Sequence, residues 1–174
     1  MDNQLNSFFK HIIHETDQYI KLKNDNELNS YIEQLLIKNI TKNNNKIYFY
    51  QILSEISNEK NVFKLKRLNT ILAEESLLKI GIFNNTIKKE INNESYYKNL
   101  SYLGFSNLNH MTNENYIYKL ILEELNSIII KLNIISINLF HNKHNILDLY
   151  LNYMKTKNLF YKHKLNKLGI FPNF

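Results

Sequence analysis

One apolar stripe between Tyr116 and Phe140 constrains the fold of this chain more than any other feature. Seven of its residues step by three and four in strict alternation, which places them on one face of an α-helix. They are Tyr118, Ile121, Leu125, Ile128, Leu132, Ile135 and Leu139. Leu122, Ile129 and Phe140 widen the stripe beyond a coiled-coil seam. The pattern therefore predicts a long central helix with packing partners on more than one flank.

The polar residues of this segment are predicted to lie together on the opposite, solvated side of the helix. They are Lys119, Glu123, Asn126, Ser127, Lys131 and Asn133. Lys119, Glu123, Glu124 and Lys131 also interrupt the apolar run, so it never reaches the roughly 18 uncharged residues that a bilayer span requires. We expect no membrane span here.

The composition favours an all-α fold. The 174 residues are 44% hydrophobic and include 3 glycines and 1 proline, whereas a β-rich chain needs many more turn residues. The sequence predicts a compact single-domain bundle of roughly seven to eight helices around the central one. The domain would span residues 1–174, with residues 170–174 as a short C-terminal tail.

Shorter amphipathic segments flank the central one and begin near Leu5, Asp25, Lys46, Val62, Tyr96, Ile146 and Leu159. Tyr50 is predicted to face inward, and Gly104 is predicted to end a short helix in the left-handed conformation. Met154 is predicted to belong to an amphipathic segment with Ile146, Leu149, Tyr150 and Tyr153. Thr112 or Asn113 is the expected cap of the central helix. Gly169 and Pro172 are predicted to stop the last helix.

A weak internal similarity leaves a helical-repeat topology open as an alternative to a bundle. The segment NDNELNSYIEQLL resembles the later segment EKNVFKLKRLNTIL, and each follows an amphipathic helix. Helical-hairpin arrays of the tetratricopeptide kind have a similar period. Their small residues at close helix contacts are not matched in these two segments.

The positive charge of this basic protein is weak support for nucleic-acid binding. The formal net charge is +6 and the sequence pI is about 9.3, but Arg67 is the single arginine. Abundant Asn, Lys, Ile and Tyr are typical of AT-rich coding bias, which places lysines on solvated faces without selection for binding. One arginine is also poor equipment for reading base edges.

Two further absences bound the chemistry and the location. The chain contains no cysteine, which excludes disulfides and thiolate chemistry. Residues 1–10 show neither a secretory h-region nor an Arg-rich transit pattern, so we expect a cytoplasmic protein.

Histidine pairs are the residues whose spacing suggests a metal site. His11 and His14 lie three apart, as do His141 and His144, and two such pairs meeting in a bundle could hold a transition metal. Against this, no glutamate stands three residues before a histidine as in di-iron bundles, and a zinc site would lack cysteine ligands.

His14 suggests a second hypothesis, which is heme binding. A histidine on the first helix with Asp17 one turn later resembles the arrangement by which heme-degrading helical bundles hold iron. Such enzymes also need a glycine-rich distal helix, and residues 117–140 contain no glycine. The implied function is a heme- or metal-binding bundle enzyme of the oxygenase or oxidase kind, with His14 as ligand.

The C-terminal segment is the best candidate surface for nucleic acid or another anionic partner. Five lysines alternate there with Phe160, Tyr161 and His163, and they are Lys155, Lys157, Lys162, Lys164 and Lys167. The cations would contact phosphates and the aromatic rings would stack on unpaired bases. A lysine-rich outer face of an ordinary amphipathic helix explains the same pattern.

No glycine-rich phosphate loop and no activated nucleophile motif appears in the sequence. The function that the sequence favours is therefore a non-catalytic α-helical module that binds another protein or assembles with itself. Its apolar helix faces would supply affinity, and its lysines would favour acidic partners.

Overall fold

Eight helices make up the part of the chain that this computed structural model describes, which is residues 2–41, 48–83, 93–113, 115–139 and 146–171. They are α1 Asp2–Asp17, α2 Asp25–Thr41, α3 Phe49–Asn58, α4 Val62–Gly81, α5 Glu94–Met111, α6 Tyr116–Leu139, α7 Ile146–Thr156 and α8 Leu159–Lys167. These ranges contain no strand, which confirms the predicted all-α class. Within them, no helix combines the length and apolar character needed to cross a membrane.

The long helix α6 lies at the centre of the fold, as the apolar stripe predicts. It packs against α1, α2, α4 and α5. A linear array would not give these contacts, because each repeat then touches only its neighbours. The structure therefore confirms a compact bundle around a central helix.

Two clusters of buried side chains lie on different sides of α6. The main core is formed by side chains from all of the helices α1 through α6, and it includes Ile121, Ile128 and Leu132 of the central helix. The C-terminal core joins α6 to α7 and α8, and consists of Ile134, Ile137, Leu149, Tyr153, Phe160, Tyr161 and Leu165. The central helix thus buries two faces, which explains why its apolar stripe is wider than a coiled-coil seam.

Asparagine side chains cap four of the helices. Asn61, Asn93 and Asn158 accept hydrogen bonds from backbone N–H groups in the first turns of α4, α5 and α8. Asn115 accepts one from the N–H of Ile117 at 3.0 Å at the start of α6. Such a bond satisfies an amide that the helix itself leaves unpaired, so the asparagine-rich composition serves the helix starts.

Several local predictions are wrong. The α6 cap is Asn115, while Thr112 lies at the C-terminal cap of α5. Tyr50 is 65% exposed instead of facing inward. The predicted third-helix start at Lys46 and the stop at Pro172 lie outside the described residues.

The predicted helix stop at Gly169 agrees with the structure. Gly169 has φ +78° just after α8, as a left-handed helix stop requires.

Gly104 does not end a helix. It lies buried within α5, which continues to Met111. A Cβ at this position would lie 2.8 Å from the Ala73 side chain and 2.8 Å from the Asn69 carbonyl oxygen of α4. The glycine is needed for the close approach of two helices and not for a left-handed turn.

Lys131 is buried in the main core, although the sequence predicts it on the solvated side of α6. Its side chain is 0% exposed, and its ammonium group donates to a carboxylate oxygen of Asp17 and to the Asn29 side-chain oxygen. The Asn29 amide also donates to Asp17, at 3.3 Å. This network ties α1, α2 and α6 together.

Candidate protein-interaction surface

Helix α7 presents apolar side chains on two faces. Its sequence, ILDLYLNYMKT, is mostly apolar. Leu149 and Tyr153 are buried in the C-terminal core, whereas Leu147, Leu151 and Met154 are 58%, 52% and 36% exposed. We call these three exposed residues the α7 stripe.

The α7 stripe has the spacing of a helix-binding face. Its members are separated by four and three residues, so they lie along one side of the helix. At 100° per residue, that side is about 150° away from Leu149 and Tyr153. It extends about 10 Å along the helix axis at 1.5 Å per residue.

Other exposed apolar residues of the described chain do not form such a series. Tyr50, Phe63 and Phe171 are more exposed than any member of the α7 stripe. Tyr50 and Phe63 each have one exposed apolar neighbour, Tyr48 and Val62 respectively. None of these residues belongs to a series of three along one side of a helix, and scattered apolar side chains are ordinary on a protein surface. Regular spacing, more than exposure, distinguishes α7.

The helical hairpin of α7 and α8, which carries the α7 stripe, also carries lysines. From residue 146 to residue 167 the chain carries the five predicted lysines and a single acidic residue, Asp148. Lys155 forms an ion pair with Glu94 at 2.5 Å, and Lys167 is exposed. Lys162 is half-buried. The hairpin that carries the α7 stripe is therefore predominantly cationic.

Two of these lysines lie over aromatic rings. The Lys157 Nζ atom lies 5.4 Å from the centroid of the Tyr153 ring, and the Lys164 Nζ atom lies 5.4 Å from that of Phe160. Partial burial and then the charge of Lys167 lower the pKa of Lys164. The cations thus lie close to the apolar side chains of the C-terminal core.

The stacking role predicted for Phe160 and Tyr161 is wrong for this fold. Their surfaces are 2% and 1% exposed, since both rings fill the C-terminal core. They cannot stack on a nucleic-acid base without leaving it. His163 remains exposed.

His11 and His14 lie on the exposed side of α1. The His11 Nε2 atom is 3.4 Å from a Glu15 carboxylate oxygen, and the His14 Nδ1 atom is 3.5 Å from Asp17. The carboxylate that would support His14 as an iron ligand is held by Lys131 and Asn29. His141 and His144 lie outside the described residues, within which no group of three or more His, Asp or Glu residues could hold a metal.

Sequence analysis alone misses the α7 stripe. The spacing places Met154 in one amphipathic segment with Leu149 and Tyr153, whereas the structure buries those two and leaves Met154 exposed. The spacing gives Leu147 and Leu151 no role. The sequence of α7 does indicate a second apolar face, because it contains more apolar residues than one buried face of a short helix can hold.

No protein-family model, no curated protein and no solved structure matches this chain.

Proposed function

We propose that the protein is a non-catalytic binding module that uses the α7 stripe to hold an acidic amphipathic helix of another protein. The observation that carries this proposal is the exposure of Leu147, Leu151 and Met154 along one side of a helix whose other side is already buried. A partner helix would bury these side chains against its own apolar residues at matching spacing.

Charge selects the kind of partner. Five lysines and one acidic residue lie between residues 146 and 167, so an approaching helix meets a positive potential. Glutamates that flank the apolar face of a partner would be attracted, whereas lysines would be repelled. The lysines then act on partner choice and association rate, while apolar burial supplies most of the affinity.

Fluorescence anisotropy with a designed peptide tests the proposal. The probe is a labelled helical peptide with leucines at i, i+4 and i+7 and glutamates on either side of them. We expect saturable binding that Leu151→Ser weakens at least about tenfold, which corresponds to ~1.4 kcal/mol. The fold should tolerate this change, because substitutions at exposed positions usually alter stability by less than about 0.5 kcal/mol.

Two controls isolate the surface and the charge. Tyr102→Ser removes an exposed apolar side chain from α5 and should leave the affinity unchanged. A matched peptide with lysines in place of the glutamates should bind at least about tenfold more weakly. Equal binding of the two peptides, or equal effects of the two substitutions, would overturn the proposal.

Self-association through the same face is the competing outcome, and mass measurement by light scattering distinguishes it. If the native chain is a dimer and Leu151→Glu is a monomer, the α7 stripe binds a second copy, and the proposal of an acidic partner fails. A monomer at the concentrations of the peptide assay supports it.

The other hypotheses gain no support from the described geometry. The heme hypothesis needs His14 to face an enclosed heme site, but its side chain is 88% exposed, and the Asp17 carboxylate beside it also binds Lys131 and Asn29. In the nucleic-acid hypothesis the C-terminal lysines would contact phosphates, but the Phe160 and Tyr161 rings that would stack on bases are buried in the C-terminal core. The cytoplasmic location stays a prediction, which fractionation of cells that express the protein would test.

A further inference from the structure

A cleft of about 400 Å³ lies where the C-terminal helices meet the rest of the bundle. Helices α4 to α8 all contribute to its lining. Apolar surface comes from Ile80 of α4 and from Ile129 and Ile130 of α6. This volume lies within the range of small-molecule sites, which are mostly apolar with a few converging polar groups.

Four polar side chains line this cleft without a hydrogen bond to any other group in the described chain. Lys98 and Asn126 lie on α5 and α6, Asn152 lies on α7, and Tyr161 lies on α8. By contrast, the Thr156 hydroxyl donates to the Asn152 backbone carbonyl at 2.7 Å. Polar groups around a cleft that lack partners within the protein are available to a ligand.

Tyr161 is the most informative of the four. Its surface is 1% exposed, so almost none of this side chain reaches bulk water, yet the residue lines the cleft. Burial and then the negative charge of Glu94, which lines the same cleft, raise its pKa well above the usual value. The phenol is therefore protonated at neutral pH and can donate a hydrogen bond.

The charges at the cleft favour an anion. Lys98 and Lys155 supply two cations, and Glu94 supplies one carboxylate, which is paired with Lys155 at 2.5 Å. The described part of the lining thus holds one surplus positive charge on Lys98, which forms no ion pair there. A singly charged anion would balance it, while the isoleucines would contact an apolar body.

We propose that this cleft binds a small organic monocarboxylate with a short hydrocarbon body. The carboxylate would contact Lys98 and accept a hydrogen bond from the Tyr161 hydroxyl. The side chains of Asn126 and Asn152 would supply further hydrogen bonds, and the chain of the ligand would lie against Ile129 and Ile130. This site is independent of the α7 stripe and its protein partner.

NMR titration of the isotopically labelled chain with sodium hexanoate tests the proposal. We expect saturable shifts of backbone amides that are confined to residues around the cleft. Hexanamide, which keeps the size but lacks the charge, should bind at least about tenfold more weakly, and hexylammonium should not bind. Equal affinity of hexanoate and hexanamide, or shifts spread over the surface, would overturn the proposal.

Substitutions assign the roles. Lys98→Gln should weaken hexanoate binding about tenfold and leave hexanamide binding unchanged, and Tyr161→Phe should weaken hexanoate binding about three- to tenfold. Lys119→Gln is the matched control, because it removes an exposed lysine of α6 away from the cleft lining. If Lys119→Gln weakens binding as much as Lys98→Gln does, the effect is one of net charge and the site is rejected.

A blocking variant covers the case in which Tyr161→Phe disturbs the C-terminal core. Asn126 is exposed at the edge of the cleft, so Asn126→Trp can fill the entrance without replacing a buried side chain. We expect it to abolish the hexanoate shifts while the melting temperature stays near the native value. Unchanged hexanoate binding in this variant would show that the anion binds elsewhere.

Discussion

Lys131 places an ammonium group inside the main core, and its partners decide whether it stabilises the fold. Transfer of a charge from water into an apolar interior costs several kcal/mol. Asp17 offsets this cost by countercharge, and Asn29 contributes a hydrogen bond at 2.6 Å. The side chain of Asp17 is 22% exposed, so solvent weakens the attraction to some degree. The lysine is therefore tolerated because both partners are present.

We expect Asp17→Asn to destabilise the fold by about 3 kcal/mol, because it leaves the Lys131 charge buried without a countercharge. Urea denaturation gives the change in the free energy of unfolding. The double variant Asp17→Asn with Lys131→Met should recover most of that loss, since the charge that needed a partner is gone. A strictly additive double variant would show that the pair is not coupled.

Lys119→Met is the matched control, because Lys119 is an exposed lysine on the same helix. It should change the free energy of unfolding by no more than about 0.5 kcal/mol. A large effect here would mean that α6 responds to any lysine loss, and the interpretation of Lys131 would fail.

At the scale of the helix, the contact between α4 and α5 depends on the absence of one side chain. A Cβ on Gly104 would meet the Ala73 backbone nitrogen and the Asn69 carbonyl oxygen, each at 2.8 Å. Backbone atoms cannot rotate away as the end of a flexible side chain can. The two helices would therefore have to separate.

We expect Gly104→Ala to destabilise the protein by about 1 to 3 kcal/mol through overpacking, although alanine is the better helix former by about 1 kcal/mol. Asn99→Ala tests the propensity effect alone at an exposed site of α5, and it should be neutral or slightly stabilising. Thermal unfolding of the two variants gives opposite signs if the close contact matters. A more stable Gly104→Ala protein would contradict the crossing geometry.

These two sites show where sequence patterns stop being informative. The stripe from Tyr118 to Leu139 predicts α6 because helical periodicity is a local property. Lys131 escapes the same logic, since its partner Asp17 lies 114 residues away along the chain. Gly104 fits a helix stop and a close helix contact equally well from sequence, because only the position of α4 separates the two cases.

The candidate protein-interaction surface could likewise be predicted only in part from the sequence. The lysines of the last two helices are visible as a charge pattern, but which helix faces are already covered depends on how α7 and α8 dock on α6. That docking buries Leu149 and Tyr153, and it leaves Leu151 half-exposed. The sequence therefore locates the charged part of the proposed surface but not its apolar part.

For the whole molecule, two tyrosines that pack in the cores, Tyr31 and Tyr161, predict how the fold responds to alkaline pH. Burial, and then the charge of Glu74, raises the pKa of Tyr31 well above its usual value, and burial also raises the pKa of Tyr161. An unfolded tyrosine releases its proton near pH ~10. Above that pH the unfolded chain loses protons that the folded chain retains, so unfolding becomes more favourable. The contribution of these groups is fully present below pH ~10 and is lost as the pH rises further.

We expect the free energy of unfolding of the native protein, measured by urea denaturation, to fall more steeply above pH ~10 than that of the double variant Tyr31→Phe with Tyr161→Phe. The difference should reach up to about 1.4 kcal/mol per pH unit for each tyrosine. Comparison at pH ~8 and at pH ~11 separates this effect from any neutral-pH cost of removing the hydroxyls. Tyr102→Phe replaces an exposed tyrosine, whose hydroxyl meets solvent in both states, so it should follow the native curve. Parallel curves for the native protein and the double variant would mean that these two phenols are as accessible in the folded chain as in the unfolded one. In that case the C-terminal core around Tyr161 would be open to water, and the cleft proposed beside it would lose its buried donor.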